Sequence, residues 1–365
     1  MATSGAPLVL LAAGGTGGHL FPAEALANAL AKRDAIVDLA TDHRAAHFKF
    51  PARNIHLVPS ATLRARNPFA MARTAALLAL GTARAWVLVG RTKPNVVVGF
   101  GGYPTVPPLF AASLRGIPTV LHEQNGVMGR ANRMLAPRVT AIGTGFRTLK
   151  NFNRHWQGKI MFTGNPVRPL VIAAAAMAYA APTDGKLRLL VFGGSQGARV
   201  MAEIVPAAIE RMNPDLRARL SIVQQARTED LDDVRDTYVR LGVGSEIAPF
   251  FSDLPARMAA AHLVISRSGA STVAELTTIG RPAILVPLPH ALDQDQLANA
   301  GVLEAAGGAI CIAQAEFTPE RLNAEIAGLS NNPARLAHMA QAAKSAGTID
   351  AAERLADLVL SVAGI

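Results

Sequence analysis

Two glycine-rich turns constrain this chain more than any other feature: Gly14-Gly15-Thr16-Gly17-Gly18-His19 near the start and Gly193-Gly194-Ser195-Gln196-Gly197-Ala198 past the middle. Each follows a short apolar run, Leu8 to Leu11 or Leu187 to Phe192, and precedes an amphipathic helical pattern. Strand, glycine turn and helix therefore occur twice. Glycine accepts positive φ and lets a ligand approach the backbone, so an anion above the helix start meets N–H groups and the positive end of the helix dipole. Two such units predict two α/β domains facing a shared cleft.

The rest of the chain keeps the same rhythm. Apolar strand candidates recur at Leu8–Leu11, Ile36–Ala40, Val96–Gly99, Thr119–Leu121 and Val139–Ile142, then at Leu187–Phe192, Leu220–Gln224, Ile247–Pro249, Leu263–Ile265, Ala283–Val286 and Ala309–Ile312. Helical stretches separate them, which predicts two doubly wound parallel sheets. Thr163-Gly164-Asn165-Pro166-Val167-Arg168-Pro169 breaks regular structure and marks the hinge, so the domains are expected over 1–165 and 166–349. Residues 350–362 begin with Asp350 and Glu353 at capping-box spacing and carry Leu355, Leu358, Val359 and Val362 on one face, a helix in need of an apolar partner.

Composition narrows the class. At 365 residues the chain is long enough for two ordinary cores, and its one cysteine, Cys311, excludes an internal disulfide and reads as a buried strand thiol. The N-terminal apolar run lacks a basic region before it and leads into a glycine turn, so it is expected to be a strand and not a targeting signal. No apolar stretch is expected to reach the ~18 residues of a membrane span, because Arg84 interrupts Leu77 to Val89. The net charge of +10 fits an anionic partner. Aromatic residues make up only 5% of the chain, too few for the stacking that single-stranded nucleic acid requires, so nucleic acid is not expected. Between Pro68 and Val89, Phe69, Met71, Leu77, Leu78, Leu80 and Trp86 mix with Arg73 and Arg84, a pattern suited to an anionic membrane surface or to a core helix with a basic face.

The motifs exclude some chemistry. Neither glycine turn completes the G-x-G-x-x-G dinucleotide fingerprint, although Asp42 after the second strand keeps an NAD-dependent oxidoreductase open, and no Gly-Lys-Ser/Thr of a P-loop is present. A third site says more. Ser266-Arg267-Ser268-Gly269-Ala270-Ser271-Thr272-Val273-Ala274-Glu275 follows a strand and runs into a helix, placing small residues at the first turn and a carboxylate about one and a half turns on. A diphosphate at the helix start would leave Glu275 to accept from both hydroxyls of a ribose.

Gly14 to Ala23, Gly101-Gly102-Tyr103-Pro104, His122-Glu123-Gln124-Asn125, Asn165-Pro166-Val167-Arg168, Gly193 to Arg199, Ser266 to Glu275 and the pair Gln296 and Asn299 occur in the order and spacing of one family. The chain resembles the MurG family, which transfers N-acetylglucosamine (GlcNAc) from UDP-GlcNAc to lipid I. The resemblance implies a GT-B architecture of two Rossmann-like domains, with the final helix packing back on the first. It implies a cytoplasmic enzyme, peripheral on the cell membrane, with no cofactor. On the donor side it implies Gly15, Thr16, Gly17, Asn125, Arg168, Ser195, Phe251, Arg267, Ala270, Ser271, Thr272, Val273, Ala274, Glu275, Gln296 and Asn299. On the acceptor side it implies Gly18, His19, Tyr103, His122 and Asn132.

Displacement at the anomeric carbon needs a base, for which His19 and Glu123 compete, and His19 also reads as a ligand of the acceptor diphosphate. Asp293-Gln294-Asp295 resembles a metal-holding D-x-D but precedes a helix, so its acids are read as helix-start residues and no metal is expected. The chain departs from the family at Ala202, where an asparagine is expected. A UDP-GlcNAc 2-epimerase of the same superfamily is the alternative activity.

Overall fold

The structure is a computed structural model that describes residues 5–14, 17–45, 49–61, 67–182, 185–194, 197–289 and 294–365. The chain divides into two compact units, Met1–Arg168 with Ile349–Ile365, and Pro169–Thr348.

The first unit holds β1 (Leu8–Ala12), α1 (Gly17–Ala31), β2 (Ile36–Thr41), β3 (Asn54–Leu57), α2 (Pro68–Thr92), β4 (Val96–Gly99), α3 (Val106–Leu114), β5 (Thr119–Glu123), α4 (Arg130–Leu135), β6 (Ala141–Thr144) and β7 (Ile160–Phe162). Its seven strands lie in the order β3-β2-β1-β4-β5-β6-β7, all paired parallel. β1 sits between β2 and β4, with Ala12 level with Ala40 on one side and Gly99 on the other. Helices cover both faces, which is why β1 and β4 read as unbroken apolar runs and not as alternating ones.

The second unit holds α5 (Pro169–Ala174), β8 (Leu187–Phe192), α6 (Arg199–Glu210), α7 (Pro214–Arg217), β9 (Leu220–Gln225), α8 (Leu231–Arg240), β10 (Gly244–Ala248), α9 (Leu254–Ala260), β11 (Leu263–Ser266), α10 (Ala270–Ile279), β12 (Ala283–Leu285), α11 (Asp295–Ala305), β13 (Ala309–Cys311), α12 (Pro319–Ser330) and α13 (Pro333–Ala346). Its parallel sheet runs β10-β9-β8-β11-β12-β13, the same winding about a central first strand. Cys311 is half-buried, and burial pushes its thiol up to about 11. Ala202 packs against this unit's core from α6.

The last helix, α14 (Ala351–Ala363), belongs to the first unit. Leu355, Leu358 and Val359 enter the core beside α1, and Arg33 clamps the helix from outside by bonding Glu353 and Asp357.

One expectation needs correction. Met71–Thr92 is a 22-residue stretch of helix long and apolar enough to cross a membrane by length and composition, with mean hydropathy 1.3 and little of it buried. Arg84 stands on the exposed side and punctuates the apolar run, but the stretch is apolar enough on average around it. Gly81, Ala85 and Val89 form the buried stripe, at the i, i+4, i+8 spacing of one helix face, while α2 packs on α3. A Cβ at Gly81 would lie 2.0 Å from the Pro59 carbonyl oxygen, so glycine sets how closely this helix seats.

Candidate functional site

Each sheet reverses its strand order beside its first strand, and ligands of such sheets bind outside the carboxyl ends of the strands at that reversal. In the second unit the place lies between β8 and β11. The turn after β8 opens with Gly193, where a Cβ would lie 2.2 Å from the Ala198 nitrogen. Ser195 lies outside the described residues. The Gly193 N–H donates to Gln225 Oε1 at 3.1 Å, and Gln225 Nε2 donates to the Pro249 carbonyl at 3.1 Å. A neutral amide at the end of β9 thus ties the glycine turn to the segment entering Phe251. Phe251 is buried under the Arg257 guanidinium, 4.3 Å from its ring centre, and Arg257 is itself fixed by Glu246 and Asp253.

After β11 the chain reaches α10 through Arg267, Ser268 and Gly269. Gly269 occupies the N-cap and brings no side chain to it. The first-turn N–H groups of an α-helix lack earlier carbonyl partners, and Ser271 and Thr272 stand half-buried at that turn. Glu275 is buried on the second turn at 6% exposure. The loop below is braced by neutral groups: Ser268 Oγ donates to the Gln296 carbonyl at 2.8 Å, Asn299 Nδ2 donates to the Ser268 carbonyl at 3.2 Å, and Gln296 Oε1 accepts from the Leu288 N–H at 3.1 Å. Arg267 is directed inward, donating to the carbonyls of Val286 and Pro287 at 3.0 and 3.1 Å and to Gln314 Oε1, and burial lowers its pKa.

The first unit fills the equivalent place with titratable groups. Gly15 and Thr16 lie outside the described residues, and α1 opens with Gly17, Gly18 and His19. His19 Nδ1 lies 3.1 Å from Gln124 Nε2, and the same Nε2 donates to the Phe100 carbonyl at 2.9 Å. Burial holds the His19 pKa below the ordinary histidine range, the Phe100 carbonyl opposes the shift, and the charge of Arg44 adds to it.

Glu123 ends β5 and is buried, which raises its pKa against the pull of its hydrogen bonds. Its Oε1 accepts from Asn125 N at 3.0 Å and Asn125 Nδ2 at 3.3 Å, and its Oε2 accepts from Gly129 N at 2.9 Å and Asn132 Nδ2 at 2.6 Å. Both oxygens are therefore occupied in holding the 123–132 loop. His122 is fully buried beside Phe100, its Nε2 3.1 Å from the Gly164 carbonyl, and burial depresses it to about 4. Tyr103 lies on the turn after Gly101 and Gly102, partly buried against the core. The Arg168 guanidinium stacks on Phe21 of α1 at 4.0 Å, and its charge tempers the rise that burial imposes on Glu24.

The predicted residues thus gather at two places: Gly17, Gly18, His19, Tyr103, His122, Glu123, Asn125 and Asn132 at the first unit's strand ends, and Phe251, Arg267, Ala270 to Glu275, Gln296 and Asn299 at the second's. Asp42, weighed for a ribose, has its carboxylate engaged by Arg44, whose Nε donates at 2.8 Å. Asp293 lies outside the described residues, and Asp295 bonds the Gln296 N–H at the start of α11 at 2.8 Å. Among the described residues no three His, Cys, Asp or Glu side chains gather as a metal site. The sequence reading gave no role to Gln124 or Gln225, which carry no charge; their one signal is position at a strand's carboxyl end.

The comparisons follow this division. The sequence pattern of the glycosyltransferase family 28 N-terminal domain matches residues 9–144, and that of the C-terminal domain matches 188–355. A Rhodopseudomonas palustris (strain BisB18) protein named UDP-N-acetylglucosamine–N-acetylmuramyl-(pentapeptide) pyrophosphoryl-undecaprenol N-acetylglucosamine transferase is 60% identical over 363 residues, covering 99% of this chain and 97% of the relative. A Bradyrhizobium sp. (strain BTAi1) protein of the same name is 58% identical over 366 residues, covering 100% of both. The crystal structure of Acinetobacter baumannii MurG aligns with TM-score 0.78 and 28% identity over 97% of this chain and 99% of that one. A UDP-GlcNAc 2-epimerase from Neisseria meningitidis bound to UDP-GlcNAc aligns over 97% of this chain and 100% of its own with TM-score 0.64 but 14% identity, a likeness of fold alone.

Proposed function

This chain belongs to glycosyltransferase family 28, and from that premise we infer that it moves GlcNAc from UDP-GlcNAc to the C4 hydroxyl of N-acetylmuramic acid in undecaprenyl-linked lipid I, forming lipid II for peptidoglycan. The observation that carries this is identity of 58 to 60% along almost the whole chain to proteins named for that transfer. The acceptor hydroxyl gives up its proton to a base as its oxygen forms a bond to the anomeric carbon, the bond from that carbon to the diphosphate breaks, UDP leaves with the electron pair, and the configuration inverts.

The donor is assigned to the second unit. The diphosphate is placed at the first turn of α10, over Ala270, Ser271 and Thr272, where N–H groups and the helix dipole stabilise the charge of the leaving UDP. Glu275 accepts from the ribose hydroxyls, the backbone at Phe251 reads the uracil edge, and Gln296 and Asn299 border the sugar. The acceptor is assigned to the first unit, where His19 faces the lipid-linked substrate and Glu123 holds the loop carrying Asn125 and Asn132.

The membrane contact is assigned to α2 on the cytoplasmic face. Met71, Leu80, Trp86 and Val87 are exposed on it together with Arg73 and Arg84, a mixture of apolar and basic groups that suits an anionic leaflet. Arg115 stacks on Trp86 at 3.9 Å and adds charge at the edge of that face.

The test is transfer of labelled sugar from UDP-GlcNAc to a lipid I analogue, with and without chelator. Labelled lipid II in both samples is expected. Epimerised UDP-sugar formed without acceptor, and no lipid product, would overturn the reading.

A further inference from the structure

Gln124 is buried at 4% exposure, on the residue after β5, and its amide touches two groups of differing demand. The Phe100 carbonyl, 2.9 Å away, is only an acceptor, so the atom facing it has to be the amide nitrogen; the opposite orientation would set two carbonyl oxygens against each other. That nitrogen has two hydrogens. One goes to Phe100, and the other points at His19 Nδ1, 3.1 Å away. Two hydrogens cannot meet there, so Nδ1 is the ring nitrogen with the lone pair, and the proton of the neutral imidazole resides on Nε2. A Cβ at Gly102 would lie 3.3 Å from Nε2, and one at Gly101 3.5 Å from Cε1, so the ring stands against this glycine turn, whose two residues both have positive φ.

We propose that Gln124 is a positioning residue whose amide fixes His19 as the neutral Nε2–H tautomer, so that the imidazole presents a hydrogen-bond donor beside the Gly101–Gly102 turn and not a proton acceptor. Such a group suits an anionic oxygen, here a diphosphate oxygen of the lipid-linked acceptor, and is unsuited to deprotonate a hydroxyl at Nε2. Burial, which keeps the ring neutral, works in the same direction. Of the groups around the ring, Arg44 disfavours the imidazolium while the Phe100 carbonyl favours it, and Gln124 competes with the ring for that carbonyl. The substrate assignment rests on the transfer reading above; the tautomer rests on the first unit's geometry alone.

The test is nitrogen NMR of the full chain with labelled histidine, the His19 signals assigned by loss in His19→Gln. In the wild type, Nδ1 is expected at the shift of an unprotonated ring nitrogen and Nε2 at that of a protonated one. Gln124→Glu, whose carboxylate only accepts, should reverse the two. Gln124→Met keeps the shape without the donor and should release Nδ1–H to the Phe100 carbonyl; it serves if the Glu variant does not fold. In the transfer assay the folded variant is expected to lose about tenfold or more in kcat with donor KM within about twofold. A proton on Nδ1 in the wild type, or a Met or Glu variant with the wild-type nitrogen pattern, overturns the proposal. Wild-type chain with the expected tautomer but no transfer to lipid I would sink the transfer reading and leave the tautomer standing.

Discussion

The two units wind their sheets alike and then equip the reversal points differently. In the second unit the turns are braced by neutral groups, Gln225, Ser268, Gln296 and Asn299, and Arg267 is turned inward onto carbonyls. In the first, the matching strand ends carry His19, His122 and Glu123, all shifted by burial away from their ordinary ranges. A site made of backbone N–H groups holds a charge constant whatever the pH, which suits the grip on a nucleotide diphosphate. A half-buried histidine, a buried one and a saturated carboxylate suit recognition of a second substrate and the handling of charge during reaction. On the proposed assignment one fold serves twice, once for binding and once for chemistry.

The largest expected effect separates the two roles. His19→Ala should lower kcat by about 100-fold or more while donor KM stays near wild type, the size expected for loss of a positioned charge-stabilising donor; a matching rise in donor KM would erase the distinction. Glu275→Ala should do the reverse, raising donor KM about 10- to 100-fold with kcat little changed, since the proposed assignment puts it on the ribose and not on the reacting atoms. Steady-state kinetics with each substrate varied measures both. Charge reversal of Arg73 and Arg84 together should weaken binding to anionic vesicles about tenfold or more, on the basis of about 1 kcal/mol per surface charge, and leave turnover of a water-soluble acceptor unchanged.

The smallest effect concerns acid. Asp38 is fully buried in β2; burial opposes its charge, but the bonds from Arg53 at 3.0 and 2.8 Å, with His56, prevail and lower its pKa. A carboxylate with a lowered folded pKa contributes stability above the ordinary aspartate range of about pH 4 and loses it as pH falls through the folded value. Hydrogen exchange at decreasing pH should therefore find β2 and its neighbours opening more readily on acidification, and Asp38→Asn should flatten that response. Equal acid sensitivity in wild type and variant would remove Asp38 as its source.

Much of this was legible in the sequence because buried parallel strands between glycine turns are apolar without interruption. The strands missed, Asn54–Leu57 and Ile160–Phe162, are the two edges of the first sheet. The former is largely exposed and includes Asn54 and His56, and the latter has three residues, so neither leaves an apolar run to read. Gly244–Ala248, another edge, was expected a few residues late for the same reason. At the site, charge and glycine were readable and direction was not: nothing in the composition around Arg267 says that its guanidinium faces inward, or that Glu123 meets four N–H groups of its own loop. Those facts come from where a loop returns after its strand. In α2 one arginine reads as cutting an apolar run short, whereas the helix continues past Arg84 and stays apolar on average.

Both units carry a glycine-rich segment after the central strand of a sheet, so which of the two holds the nucleotide separates this assignment from its opposite. The most direct measurement is the crystal structure of the full chain soaked with UDP-GlcNAc. The account predicts the diphosphate at the first turn of α10 with Glu275 on the ribose; a nucleotide seated instead over Gly14–Gly18 of the first unit, with α10 bare, would contradict it.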